Sequence, residues 1–244
     1  MMSRSEKPVV LVTGATQYTG LTVAKLFAKR GYNVVVTSRS VEKAEGAAEQ
    51  VRAQTPDAEV LAVGMTPASV QETQEAFQKV KDHFGRLDCF VANATAICRF
   101  KSILSTTEED YDFVMDSNTK GYFFGTQCAA KLMIECGIHG SIILIGSVHS
   151  KGALPNRIPY AISKGGIEVL ARNAAWTNRM FALITGFMEA GETPEAGVAR
   201  EVAEETGLTV TALSLVGVHD FQRMNQVVIT YHARCEGDVV LSPE

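Results

Sequence analysis

"PVVLVTGATQYTG", residues 8–20, sets the architecture of the first two thirds of the chain. The apolar run ends in Thr-Gly after a few residues, too short for a helix, and reads as a strand buried on both faces. A second glycine, Gly20, opens the amphipathic pattern "LTVAKLFAKRG" (21–31), so strand passes to helix through a glycine-tightened turn. Such a turn lets a phosphate approach a helix N-terminus, which makes Gly14, Thr16 and Gly20 candidate cofactor contacts. Glycine-containing strand-to-helix turns are common, so this one is a weak sign alone.

The same grammar repeats along the chain. "YNVVVTS" (32–38), "AEVLAVG" (58–64), "LDCFVANA" (87–94) and "SIILIGS" (141–147) are further apolar runs. Between them lie helical patterns, including "EEDYDFVMDSNTKGYFFGTQCAAKLMIEC" (108–136), which reads as one continuous helix. Apolar runs alternating with amphipathic helices predict an α/β fold: a Rossmann-like, doubly wound parallel sheet of at least five strands. Ligands of such sheets bind at the carboxyl ends of the strands. There the second run is followed by "SRS" (38–40), with no carboxylate to hold a ribose 2′-hydroxyl. Arg39 suits a 2′-phosphate instead, so NADP is the expected cofactor and NAD the alternative. Asn93, near the end of the fourth run, is a further candidate contact.

"GSVHSKGALPNRIPYAISKGG" (146–166) carries the strongest chemical signal in this region. Tyr160 and Lys164 are four residues apart and adjacent on one helix face. An ammonium beside a phenol favours the phenolate, which suits a tyrosine to exchange a proton with an alcohol or carbonyl oxygen. Ser147 follows the fifth run, where its hydroxyl can bind that same oxygen. With the glycine turn, "ANAT" (92–95) and Asn118, these residues resemble the short-chain dehydrogenase/reductase family over about residues 7–176. The resemblance implies that Tyr160 is the acid/base, Ser147 orients the substrate oxygen, Lys164 holds the nicotinamide ribose and Asn118 supports a proton-relay water. Two positions depart from it. Tyr18 stands where the family's turn usually has its second glycine, and Thr95 replaces a glycine after the fourth run. A Pro-Gly segment after a sixth strand is also missing.

Beyond Trp176 the grammar changes. "NRMFALITGF" (178–187) can pass as a strand, but "GFMEAGETPEAGVAREVAEETGL" (186–208) is a polar loop leading into an acidic helix. Glu201, Glu204 and Glu205 fall on one helix face, an arrangement explained by a divalent cation, Mg²⁺ or Mn²⁺, that bridges to a diphosphate. A solvated acidic face is the plainer explanation of such a cluster. The spacing goes further: Gly186, Glu192 and Arg200-Glu201-Val202 through Glu204-Glu205 to Gly207-Leu208 fit a Nudix box at every defined position. With each residue type at roughly 5–10% usage, chance agreement is negligible. This segment resembles a Nudix hydrolase. The resemblance implies that Glu201, Glu204 and Glu205 hold the metal, with Gly186, Glu192 and Arg200 in support. "TVTALSLVGVHDF" and "NQVVITYHARCEGDVVL" read as two strands following the helix; residues 181–185 either fold back on residues 210–232, the favoured pairing, or pair in parallel beside residues 141–145.

The domain reading is therefore 1–176 as a nucleotide-binding oxidoreductase region without its usual last strands, and 177–244 as a partial Nudix-like α+β segment. No Pro/Gly/Ser-rich linker separates them. The formal charge of −4 offers no basic excess for a nucleic-acid polymer. No window suits a membrane span or a signal peptide, and five cysteines without a CxxC pair fit reduced thiols, so a cytoplasmic location is expected. Three functions are compatible with these residues. One is an NADP(H)-dependent oxidoreductase acting on a small molecule, with oligomers allowed. The second is a Mg²⁺-dependent pyrophosphohydrolase of nucleoside diphosphate derivatives. The third is an inactive fusion of two incomplete domains.

Overall fold

Val9 to Val12 are fully buried, and their alternation builds the two faces of the sheet. The computed structural model describes residues 5–98, 101–152, 155–174, 191–221 and 226–236. Strands β1 (Val9–Val12), β2 (Asn33–Ser38), β3 (Val60–Gly64), β4 (Cys89–Ala92) and β5 (Ser141–Leu144) form one sheet in the order β3-β2-β1-β4-β5. Every pair is parallel, with Val12 opposite both Val36 and Val91. The strand order reverses on either side of β1, and that crevice is where this architecture binds ligands.

Val9 and Leu11 face a core shared with Phe77, Phe84, Phe90, Tyr122, Leu132 and Ile167. These come from helices α3 (Val70–Phe84), α5 (Gly121–Glu135) and α6 (Ile158–Ala174) and the strands they cover. Val10 and Val12 face the other core, with Ala24 and Ala28 of α1 (Tyr18–Lys29) and Ala48 and Val51 of α2 (Val41–Gln54). Each fully buried valine or leucine contributes about 1.5–3 kcal/mol. The alanines let α1 and α2 lie close on the sheet, which is why those helices have a weak apolar stripe in sequence.

The stretch expected as one helix over 108–136 is not uniform. α4 (Glu108–Met115) and α5 are joined by a π-helical turn, Asp116–Lys120. A wide turn of this kind re-aims a side chain without breaking the helix. Gly121 follows it because a Cβ there would meet Pro67 at 2.8 Å.

The chain divides into two compact units, Met1–Leu183 and Ile184–Glu244. In the second, α7 (Pro194–Thr206) begins at Thr193, whose hydroxyl accepts the Ala196 N–H, and ends at Gly207 in the left-handed region (φ +69°). Strands β6 (Thr209–Phe221) and β7 (Gln226–Glu236) come next as an antiparallel pair with register shifts near Thr211 and Val216. The expected pairing of residues 181–185, and Gly186 itself, lie outside the described residues. So does the side chain of Glu205. Among the described residues no helix is long and apolar enough to cross a membrane. The five cysteines are free.

Candidate active site

The turn after β1 is held from across the sheet. Thr13 Oγ1 accepts the backbone N–H of Asn93 (2.8 Å) and of Ala94 (2.9 Å), so β1 and the end of β4 are tied at the crevice. Asn93 returns the contact by donating its amide to the carbonyls of Thr13 (3.0 Å) and Gly14 (3.2 Å). Gly14 sits at φ +62°, where a Cβ would meet Ala94 Cα at 2.9 Å. At Gly20 a Cβ would meet the Gly14 carbonyl oxygen at 2.4 Å. Both glycines are required by close backbone approach. Tyr18, which departs from the family pattern, also takes a positive φ of 47° and is 82% exposed. The turn keeps the glycine-like conformation with a residue that adopts it at a cost of about 1–2 kcal/mol.

A cleft of about 1080 Å³ opens beside this turn. Its walls include Gly14, Thr16, Gly20, Arg39, Lys43 and Asn93, and it runs past Thr95–Ile97 to Phe113 and Ser117. Its size is at the upper end of what small-molecule and cofactor pockets have. Among the described residues no aspartate or glutamate lines it, and Arg39, just after β2, and Lys43, in the first turn of α2, supply two cations.

Asn118 is fully buried in the π-helical turn. Its amide donates to the Ala96 carbonyl (3.0 Å) and to Ser163 Oγ (2.9 Å). Its oxygen accepts the Ala96 N–H (2.7 Å) and the Thr95 hydroxyl (3.2 Å). Thr95 therefore fills the place of a glycine with a hydrogen bond. Ser163, not among the residues expected at the site, passes the link to the Tyr160 carbonyl (2.7 Å). Its signal was only its place inside "YAISK", one residue before Lys164.

Ser147 caps a short 3-10 turn after β5, and its Oγ lies 2.9 Å from His149 Nδ1. The His149 ring meets the Tyr160 ring edge-on, with centroids 5.6 Å apart. Tyr160 is 8% exposed, beside Cys98 and Val114. Lys164 is 1% exposed, and its ammonium donates to the Ile145 carbonyl (2.8 Å) and the Tyr122 hydroxyl (3.4 Å). It stands over the Tyr160 ring, 5.8 Å from the centroid, rather than on the phenol oxygen. Burial pushes the Lys164 amine down to about 8. The same burial raises the Tyr122 phenol above its ordinary range. The structure thus gathers Asn118, Ser147, Tyr160 and Lys164 around one end of α6, with Ser163, His149 and Tyr122 as partners that the spacing did not show.

In the second unit, Arg200 organises the acidic helix. Its Nε and Nη2 bind the two oxygens of Glu192 at 2.9 and 3.1 Å, and its Nη1 reaches Glu201 (3.1 Å) and Glu204 (3.0 Å). These contacts raise the guanidinium pKa, the Glu192 bond most of all, so the arginine stays charged. Repulsion between the neighbouring carboxylates of Glu201 and Glu204 is therefore met in part by a cation of the chain itself. Among the described residues no group of three or more carboxylate, imidazole or thiol side chains converges as a metal cage.

Comparison with known proteins finds two families in the chain. The short chain dehydrogenase family model matches residues 8–179, and the NUDIX domain model matches residues 163–244, so two family matches meet in one chain and overlap. A 3-oxoacyl-(acyl-carrier-protein) reductase of Staphylococcus aureus is 34% identical over 166 residues, 68% of this chain and 66% of that protein. The chain thus spans just under two thirds of that relative's length. The crystal structure of a 3-oxoacyl-(acyl-carrier-protein) reductase from Brucella melitensis superposes with a TM-score of 0.66 at 31% identity, over 71% of this chain and 70% of that one. The alcohol dehydrogenase of the archaeon Thermococcus sibiricus, solved with 5-hydroxy-NADP, gives 0.67 at 25% identity over 72% and 75%.

Proposed function

The chain belongs to the short chain dehydrogenase family, and on that premise we propose that its first unit is an NADP(H)-dependent oxidoreductase interconverting an alcohol and a carbonyl on a small molecule. The observation that carries the cofactor choice is the cleft wall: two cations, Arg39 and Lys43, and among the described residues no carboxylate where a ribose 2′-phosphate would lie. The tight glycines fit the group as well, since side chains at Gly14 and Gly20 would collide with the turn that receives the diphosphate. Gly14, Thr16, Gly20 and Asn93 would hold the diphosphate side of the cofactor, and Lys164 the nicotinamide ribose. When bound, the nicotinamide supplies a hydride donor or acceptor.

The residues of the chain handle the proton and the oxygen. Tyr160 gives its phenol proton to the carbonyl oxygen during reduction and takes it back during oxidation. Ser147 holds that oxygen in place. The Lys164 ammonium, over the Tyr160 ring, stabilises the negative charge that the phenol acquires on losing its proton. Asn118, tied to Ala96 and Ser163, fixes the wall between the cleft and α6. The reading is tested by fluorescence titration of NADPH and NADH with the wild type and the Arg39→Ala/Lys43→Ala variant. The expected result is that the double substitution weakens NADPH by about tenfold or more and leaves NADH unchanged. Equal losses for both cofactors would refute the 2′-phosphate site.

A second reading stands on the Arg200 network. Glu201 and Glu204 each keep oxygen lone pairs beyond those given to Arg200, and hard oxygen donors suit Mg²⁺ or Mn²⁺. We propose that Glu201, Glu204 and Glu205 hold such an ion for diphosphate hydrolysis, with Glu192 and Arg200 setting the carboxylates. Calorimetry with Mn²⁺ tests it: Glu204→Gln should abolish the heat of binding, and unchanged binding would remove this reading.

A further inference from the structure

His149 stands beside the proposed catalytic residues, and the proposed chemistry leaves it unused. It is 8% exposed, its Nδ1 lies 2.9 Å from Ser147 Oγ, and its Nε2 is buried without a partner among the described residues. Burial lowers its pKa and the nearby Arg157 lowers it further, so the ring is neutral and carries a single N–H. Two arrangements exist. With the proton on Nε2, a buried donor is orphaned and the serine must spend its own proton on Nδ1. With the proton on Nδ1, the orphan is only a lone pair, and the ring donates to Ser147. Buried unpaired N–H groups are rare, so the second arrangement is favoured.

Counting lone pairs then fixes the serine. A hydroxyl has two acceptor sites and one donor. Ser147 Oγ already accepts the backbone N–H of His149 at 3.3 Å, and Nδ1–H takes the other site. The only hydrogen-bonding capacity left is its O–H. We propose that His149 is a positioning residue that makes Ser147 an obligate hydrogen-bond donor, aimed at the reacting oxygen of the substrate. This deepens the oxidoreductase reading and rests on it for the identity of the acceptor, but not for the tautomer. The edge-on contact with Tyr160 holds the ring against rotation away from the serine.

Two measurements separate the claims. In ¹⁵N-histidine-labelled full-length protein, the resonance pair lost in His149→Phe should show protonated Nδ1 and bare Nε2; a protonated Nε2 overturns the proposal whether or not the protein turns over. In NADPH-dependent ketone reduction, His149→Phe keeps the ring packing and should lower kcat by about tenfold or more, with NADPH affinity unchanged. His149→Asn, which restores a donor near the Nδ1 position, should recover most of the loss. Full activity in the phenylalanine variant, or no recovery in the asparagine variant, overturns the proposal. A wild type with protonated Nδ1 but no reductase activity on any ketone would refute the functional reading and uphold the serine–histidine pair.

Discussion

Replacing Lys164 by methionine should make the protein more stable at neutral pH relative to alkaline pH, by an amount the structure sets. The amine is 1% exposed, and its described partners are a carbonyl and a phenol, with no carboxylate. Burial moves it from its ordinary 10.5 to about 8. Below pH 8 the amine is protonated in both folded and unfolded chains, so the fold carries the full penalty of burying the charge. As pH rises through 8 the folded amine loses its proton first, and stability grows until the unfolded amine also deprotonates near 10.5. The depression is equivalent to about 3 kcal/mol of wild-type stability regained across that window. Methionine has no such term. The lost hydrogen bonds, about 1 kcal/mol each, and the altered packing add a part that is constant in pH. The stability of the methionine variant minus that of the wild type should thus fall by about 3 kcal/mol between pH 7 and 10.5. Urea unfolding of both proteins, followed by far-ultraviolet circular dichroism at intervals across the range, measures it. Titrations of the cysteines and of the tyrosines remote from Lys164 cancel in the difference, whereas Tyr122 and Tyr160, which it touches, do not. A difference flat in pH would refute the claim that Lys164 is buried as a charge.

Tyr18→Gly should stabilise the protein by up to about 1 kcal/mol by relieving the positive φ, net of the freedom that glycine gains in the unfolded chain. It should also tighten NADPH binding, since the exposed ring leaves the mouth of the cleft; a destabilised variant in thermal melts contradicts this. Thr13→Val preserves shape but leaves the N–H groups of Asn93 and Ala94 without their acceptor, at a cost of about 2–4 kcal/mol. Urea unfolding with a change under about 1 kcal/mol would show that the brace between β1 and β4 is unimportant.

How much of the fold and the site was legible in sequence depended on distance along the chain. The five strands were readable because buried parallel strands are continuous apolar runs, and the candidate Tyr160–Lys164 pair because one helical turn brings such spacing together. Arg39 drew notice from what its neighbourhood lacked, and it lines the cleft. Thr13 was invisible as a brace, because its partners at Asn93 and Ala94 lie about 80 residues away and a threonine in a turn has many ordinary uses. Tyr122 and Ser163 were hidden for the same reason, being buried polar groups inside apolar helix faces. The π-helical turn was missed because its amphipathic pattern is nearly that of the α-helices on either side. The acidic helix showed the spacing of its glutamates, but not that Arg200 would engage Glu192, Glu201 and Glu204 at once.

Asn118 spends every hydrogen bond it has on two segments distant in sequence, the stretch after β4 and the start of α6. That makes it a rivet through three parts of the wall. None can lift away without exposing an amide that water cannot reach while the others stay closed. Opening there is a single event, so the cleft side and the Tyr160 side loosen together or not at all. A substrate that tightens one will slow exchange of the Ala96 amide on the other, with no change in backbone path.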